Sequence, residues 1–82
     1  MKNLYLISQD VNDDYNVYDS AVVCATDEDA ARIIHPDRYE KDQCLVSWCM
    51  SKDVQVTHIG IAHQEIKLNS VICASFNSVH VV

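Results

Sequence analysis

Apolar residues along the chain fall into runs separated by short polar stretches, and the spacing inside each run predicts its element. NLYLISQ (3–9) and VYDSAVVCAT (17–26) are rich in aromatic and β-branched residues and flank a polar stretch, so they read as two strands joined by a turn. TDEDAARIIHP follows. Thr26 stands where an N-cap belongs, with Asp29 three residues on, close to a capping box. Asp27, Glu28 and Asp29 complement the positive end of a helix dipole. Ala30, Ile33 and Ile34 supply an i, i+3, i+4 stripe, and Pro36 disfavours helical geometry at His35, so a short helix is expected over 27–35. DRYEKD (37–42) is polar and reads as a loop. QCLVSWCM (43–50) alternates, with Cys44, Val46, Trp48 and Met50 on one face and Leu45, Ser47 and Cys49 on the other, which predicts a strand. In DVQVTHIGIA (53–62) the alternation runs through Val54 and Val56, then shifts phase to Ile59 and Ile61 beside Gly60, a pattern that predicts a bulged strand. HQEIKLN (63–69) connects to a last strand, SVICASFN (70–77), with SVHVV as a tail. The order is ββαβββ: a single α+β domain over residues 1–82, with a mostly antiparallel sheet of four to five strands and one short helix.

One short helix covers one face of such a sheet. Yet LYLI, AVVC and VICASF are apolar at successive positions, where a solvated face would alternate with polar residues. The second face therefore needs cover, from the 37–50 segment, a second copy of the chain or a partner protein. A homodimer joined through the uncovered face or through an edge strand is the simplest closed solution.

Composition narrows the class. Eighty-two residues make one domain near the small end of what folds without staples, and an apolar fraction of 49% is ordinary for a globular chain. One Gly and one Pro leave no room for a phosphate-cradling loop or a dinucleotide fingerprint. The apolar run near the N-terminus is four residues long, too short for a signal sequence or a membrane span, so a cytoplasmic, reducing location is the expectation. Cys24, Cys44, Cys49 and Cys73 then read as thiols that pack like small hydrophobes.

Charge sets the choice of partner. The net charge is −6, and no basic residue lies between Lys2 and Arg32, a span holding Asp10, Asp13, Asp14, Asp19, Asp27, Glu28 and Asp29. Nucleic acid and anionic membranes bind through Lys and Arg and are repelled by such a surface. A basic protein surface is favoured by electrostatic steering. The acidic turn and the acidic helix start lie at opposite ends of the second strand, roughly 20–25 Å apart for six to eight extended residues.

Candidate chemistry is sparse. Asp10, Asn12 and Asp14 repeat the D-x-N-x-D that opens an EF-hand loop. The loop also requires Gly at its sixth position and Glu at its twelfth, and here those are Tyr15 and Ala21, between strands rather than helices. The stretch reads as an acidic turn. Cys44 and Cys49, like His58 and His63, are five apart, an odd spacing that sends strand side chains to opposite faces. Cys24 and Cys73 are candidate cross-strand neighbours, two ligands short of a tetrahedron. No bound metal or other cofactor is expected. A Cys–His dyad of Cys49 with His58 or His63 is the one catalytic pairing the chain offers, and no other constellation points to an enzyme. Phe76 and Tyr5 read as core residues, whereas Trp48, among polar neighbours, suits a buried anchor at a partner contact.

Taken together, LYLISQDVN, YDSAVVCATDEDAARIIHP, DVQVTHIGIA and VICASFN resemble a family of small, functionally uncharacterised proteins of tailed phages and prophages. The likeness covers most of the chain apart from roughly 37–50 and the tail. Family members tend to carry Gly in the first turn, where this chain has Asp13, Asp14 and Tyr15 and is more acidic. The motif is a fold signature with no catalytic residues to carry over. The resemblance implies viral origin and a place in the host cytoplasm. With the acidic surface, the expectation is a non-enzymatic accessory protein that binds and modulates a host protein, such as a nuclease-based (CRISPR-type) defence component. Its candidate contact residues are Asp10, Asp13, Asp14, Asp19, Asp27, Glu28, Asp29 and Trp48. The alternative is a small protein whose Cys and His residues carry metal or thiol chemistry.

Overall fold

The computed structural model describes residues 1–12, 17–36 and 48–77. Among the described residues, four strands form one antiparallel sheet: β1 (Asn3–Ser8), β2 (Val17–Ala25), β3 (Gln55–Ile61) and β4 (Ser70–Asn77), in the order β3-β1-β2-β4. One short helix, α1 (Glu28–Arg32), packs against β1, β2 and β3. The result is a small α+β domain whose strands begin and end close to where alternation and flanking polar residues place them.

Strand period explains the core. Tyr5 and Ile7 of β1 lie opposite Val23 and Ala21 of β2, and all four are buried on the side that carries the helix. Ala25, Ala31, Trp48, Cys49 and Val54 complete that cluster. The phase shift read at Gly60 is a bulge. Leu4 pairs with Gly60 and Tyr5 with His58, leaving Ile59 as the extra residue. A second irregularity lies in β4, where Val22 pairs with Cys73 and Val23 with Val71, so that Ile72 is extra.

The helix is shorter than the expected 27–35, and its cap is one residue later. Asp27, not Thr26, is the N-cap, with extended φ and ψ of −154° and 177°, and its carboxylate accepts the Ala30 N–H at 2.8 Å. Ile33 is the C-cap, so it falls outside the helical stripe and is exposed, while Ala30 and Ile34 pack on the core beside Ala31. Replacing Asp27 by Ala should cost about 1 kcal/mol of stability, the usual worth of an N-cap oxygen. A urea titration of the variant measures it. An Asp27→Asn variant should lose less, because the amide oxygen still accepts.

The expected strand over 43–50 is not found in its described part. Residues 43–47 lie outside the described residues, and Trp48, Cys49 and Met50 lead into a single 3₁₀ turn, Ser51–Asp53, rather than a strand. Trp48 and Cys49 pack on the helix side, so these two residues do not cover the opposite face of the sheet. That face is less bare than its apolar content implies. Leu4, Leu6 and Val22 are half-buried there, and Cys24 is fully buried. The 62–69 connection is tied back to this end of the sheet. Lys2 Nζ donates to the Gln64 and Ile66 carbonyls at 2.8 and 2.6 Å, and the N–H of Asn69, in the left-handed region at φ 61°, donates to the Cys24 carbonyl at 2.8 Å. Within the sheet, the exposed large apolar side chains lie on the outer strands, at Ile59, Ile61, Ile72 and Phe76. Phe76 is therefore not the core residue its strand position led one to expect. Its ring packs at a tilt against Tyr18, 4.7 Å between centroids, but stays about half exposed.

Candidate functional site

Gln9 organises the turn that holds the first acidic residues. Its buried amide donates from Nε2 to the Asn12 and Tyr18 carbonyls at 2.8 and 2.9 Å, and its Oε1 accepts the Asn12 N–H at 2.8 Å. With the side-chain amide so engaged, the backbone at Asn12 is fixed, and Asp10 beside it is exposed. Asn12 Nδ2 donates to the Trp48 carbonyl at 3.1 Å, so this side chain serves to join the turn to the 48–54 segment. In the EF-hand reading the same side chain would turn its oxygen toward an ion. Asp13 and Asp14 lie outside the described residues. Asp19, where β2 bulges against β4, is exposed, and its Oδ1 accepts from Ser20 Oγ at 3.3 Å.

The second acidic group follows the other end of β2. Asp27, Glu28 and Asp29 are exposed, the first occupied as the helix cap. Asp10 and Asp19 are thus separated from this group by the six residues of β2 that follow Asp19, roughly 20 Å. They are two patches on one molecule. Both groups face solvent, where they can steer a cationic surface.

Trp48 does not belong with them. It is 4% exposed within this chain and sits in the core with Tyr5, Ile7 and Val23, so it has almost no surface left to anchor a partner. Its polar flanks hid this, since the contact that seats it reaches across to Asn12, 36 residues away.

The thiols and imidazoles are dispersed. Cys24, Cys49 and Cys73 are free, the first two buried and the third exposed, and Cys44 lies outside the described residues. Cys73 pairs with Val22 and Cys24 with Ser70, so the two cysteines are not directly opposite, as they would need to be to act as a pair. Burial pushes the Cys49 thiol up from its ordinary pKa, and the Asp53 charge adds to the effect, which is the reverse of activation. The His58 ring packs at a tilt against Tyr5, 5.2 Å between centroids, with Nε2 3.3 Å from Asn3 Oδ1, and His63 Nδ1 accepts the Glu65 N–H at 3.1 Å. No group of three or more His, Cys, Asp or Glu residues is arranged to hold a metal ion among the described residues. Alkylation at neutral pH should accordingly modify Cys73 at least about tenfold faster than Cys49 or Cys24, as read by peptide mass mapping, because only the exposed thiol can present its thiolate. Equal rates at Cys49 and Cys73 would show that Cys49 is an activated group.

A depression of about 180 Å³ lies on the sheet face away from the helix, lined by Leu6, Ser20, Val22, Cys73 and Ser75 among others. It is smaller than the roughly 300–1,000 Å³ of small-molecule sites and has no charged lining residue. No helix among the described residues is long and apolar enough to cross a membrane. No protein-family model, curated protein or solved structure matches the chain.

Proposed function

We propose that this chain is a non-enzymatic accessory protein of phage origin that binds a host protein through its acidic surface and occupies a site made for nucleic acid. The target class is a nucleic-acid-binding protein, with a nuclease-based, CRISPR-type defence component as the leading candidate. The observation that carries the reading is the pair of exposed acidic groups, Asp10 with Asp19 and Asp27 with Glu28 and Asp29, held at the two ends of β2. Two such groups, roughly 20 Å apart, can engage two separated basic patches of one binding channel. The rigid strand between them fixes the spacing without a cost in ordering on binding. The chain acts in the host cytoplasm, where such targets work.

The experiment is affinity capture from host lysate with the wild-type chain and with two neutralised variants, Asp10→Asn/Asp19→Asn and Glu28→Gln/Asp29→Asn. Asp27 is left in place because it caps the helix. The retained protein should be a nucleic-acid-binding one, its retention should fall with added salt, and each variant should release it at lower salt. Retention of the same protein, unchanged in both variants and insensitive to salt, would refute the acidic surface as the contact.

A further inference from the structure

β4 is an outer strand of the sheet, paired on one side with β2. Five of its eight residues, Ile72, Cys73, Ala74, Ser75 and Phe76, are exposed, and Ser70–Asn77 contains no charged residue and no proline. Edge strands usually carry one of those devices to prevent pairing with another chain. The bulge at Ile72 disturbs pairing toward one end and leaves 73–76 regular.

We infer that β4 is a homodimerisation edge, on which β4 of a second copy adds in antiparallel register about a two-fold axis at Ala74. Two features select a second copy over a foreign strand. The first is symmetry in the residues themselves. With Ala74 opposite the second copy's Ala74, Cys73 falls opposite its Ser75, and the bulged Ile72 lies next to the second copy's Phe76. The two largest exposed apolar side chains of the strand, 45% and 46% exposed, then cover each other twice across the axis, around a small residue at the centre. The second is charge. Two chains of net charge −6 repel each other over most orientations, and Ser70–Asn77 is an eight-residue stretch where they can meet without opposing like charges. Main-chain hydrogen bonds between the two edges join the sheets into one of eight strands, with both helices on the same side. The inference concerns the chain alone and does not depend on which host protein it binds.

Sedimentation equilibrium of the full chain through the micromolar range tests it, together with Ala74→Lys and with Ile72→Lys and Phe76→Glu singly and combined. The wild type should sediment at twice the 9.3 kDa chain mass. Ala74→Lys sets two ammonium groups against each other at the axis and should raise the dissociation constant about a hundredfold or more, with the far-ultraviolet circular dichroism unchanged. Ile72→Lys or Phe76→Glu alone should weaken the dimer. The double variant should regain association, because the ammonium introduced in one copy then faces the carboxylate introduced in the other, twice across the axis. A wild-type monomer up to high micromolar concentration overturns the inference and leaves the edge to a strand of another protein. A dimer indifferent to Ala74→Lys overturns it too, by placing the interface elsewhere. Should Ala74→Lys fail to fold, a double variant no tighter than either single one overturns it as well.

Discussion

Replacing Trp48 by alanine is expected to destabilise the fold by about 3–5 kcal/mol, the largest effect of any single substitution considered for this chain. The side chain is 4% exposed and contacts the cluster built by β1, β2 and the 48–54 segment, so its removal leaves a cavity that these neighbours fill only in part. A small domain of marginal stability has little reserve against such a loss. In urea, the variant should begin to unfold with almost no denaturant present, while Trp48→Phe should keep a folded baseline and a lower midpoint. As the anchor at a partner contact that its sequence neighbours suggest, Trp48 would matter more for association than for folding. Burial in the chain's own core reverses that order. An unfolding midpoint unchanged in Trp48→Ala would show that the indole contributes nothing to the core.

Gln9→Leu is expected to cost about 2–3 kcal/mol although it keeps the side-chain volume and adds apolar surface. Three hydrogen bonds disappear together, and the Asn12 N–H and the Asn12 and Tyr18 carbonyls lose a partner at a part-buried site. Because Asn12 in turn reaches the Trp48 carbonyl, loosening the turn also loosens the attachment of the 48–54 segment. Amide hydrogen exchange is the informative readout: protection should fall at Asn12 and along β1 beyond the loss expected from global destabilisation alone. If exchange rises uniformly instead, Gln9 contributes to stability without organising the turn.

Much of the fold was legible in the residues. Strands β1, β2 and β4 are apolar runs bounded by polar turns, and the sole Gly of the chain marked the bulge of β3, since the change of phase beside it had no other local explanation. The helix start was legible to one residue, because Thr26 and Asp27 are both cap-forming types and only the three-dimensional reach of the Asp27 carboxylate to Ala30 N decides between them. What was not legible depends on contacts distant in sequence. Trp48, with Ser47 and Cys49 beside it, reads as an alternating strand residue, yet its place is set by Asn12 and by the core cluster. The same holds for Phe76, whose strand position could not tell an inner strand from an outer one. Of the acidic residues, the exposure of Asp10, Asp19, Asp27, Glu28 and Asp29 followed from composition and turn chemistry, and their division into two patches followed from the length of β2.

The central claim is that the acidic surface takes the place of nucleic acid on a basic host protein, and competition measures this most directly. The captured host protein, loaded with a fluorescently labelled nucleic acid, is titrated with the purified chain while anisotropy is followed. Release of the labelled strand to its free value at saturation, with more chain needed for Asp10→Asn/Asp19→Asn and for Glu28→Gln/Asp29→Asn, is the predicted result. A ternary complex, in which the chain binds while the nucleic acid stays bound, would contradict it.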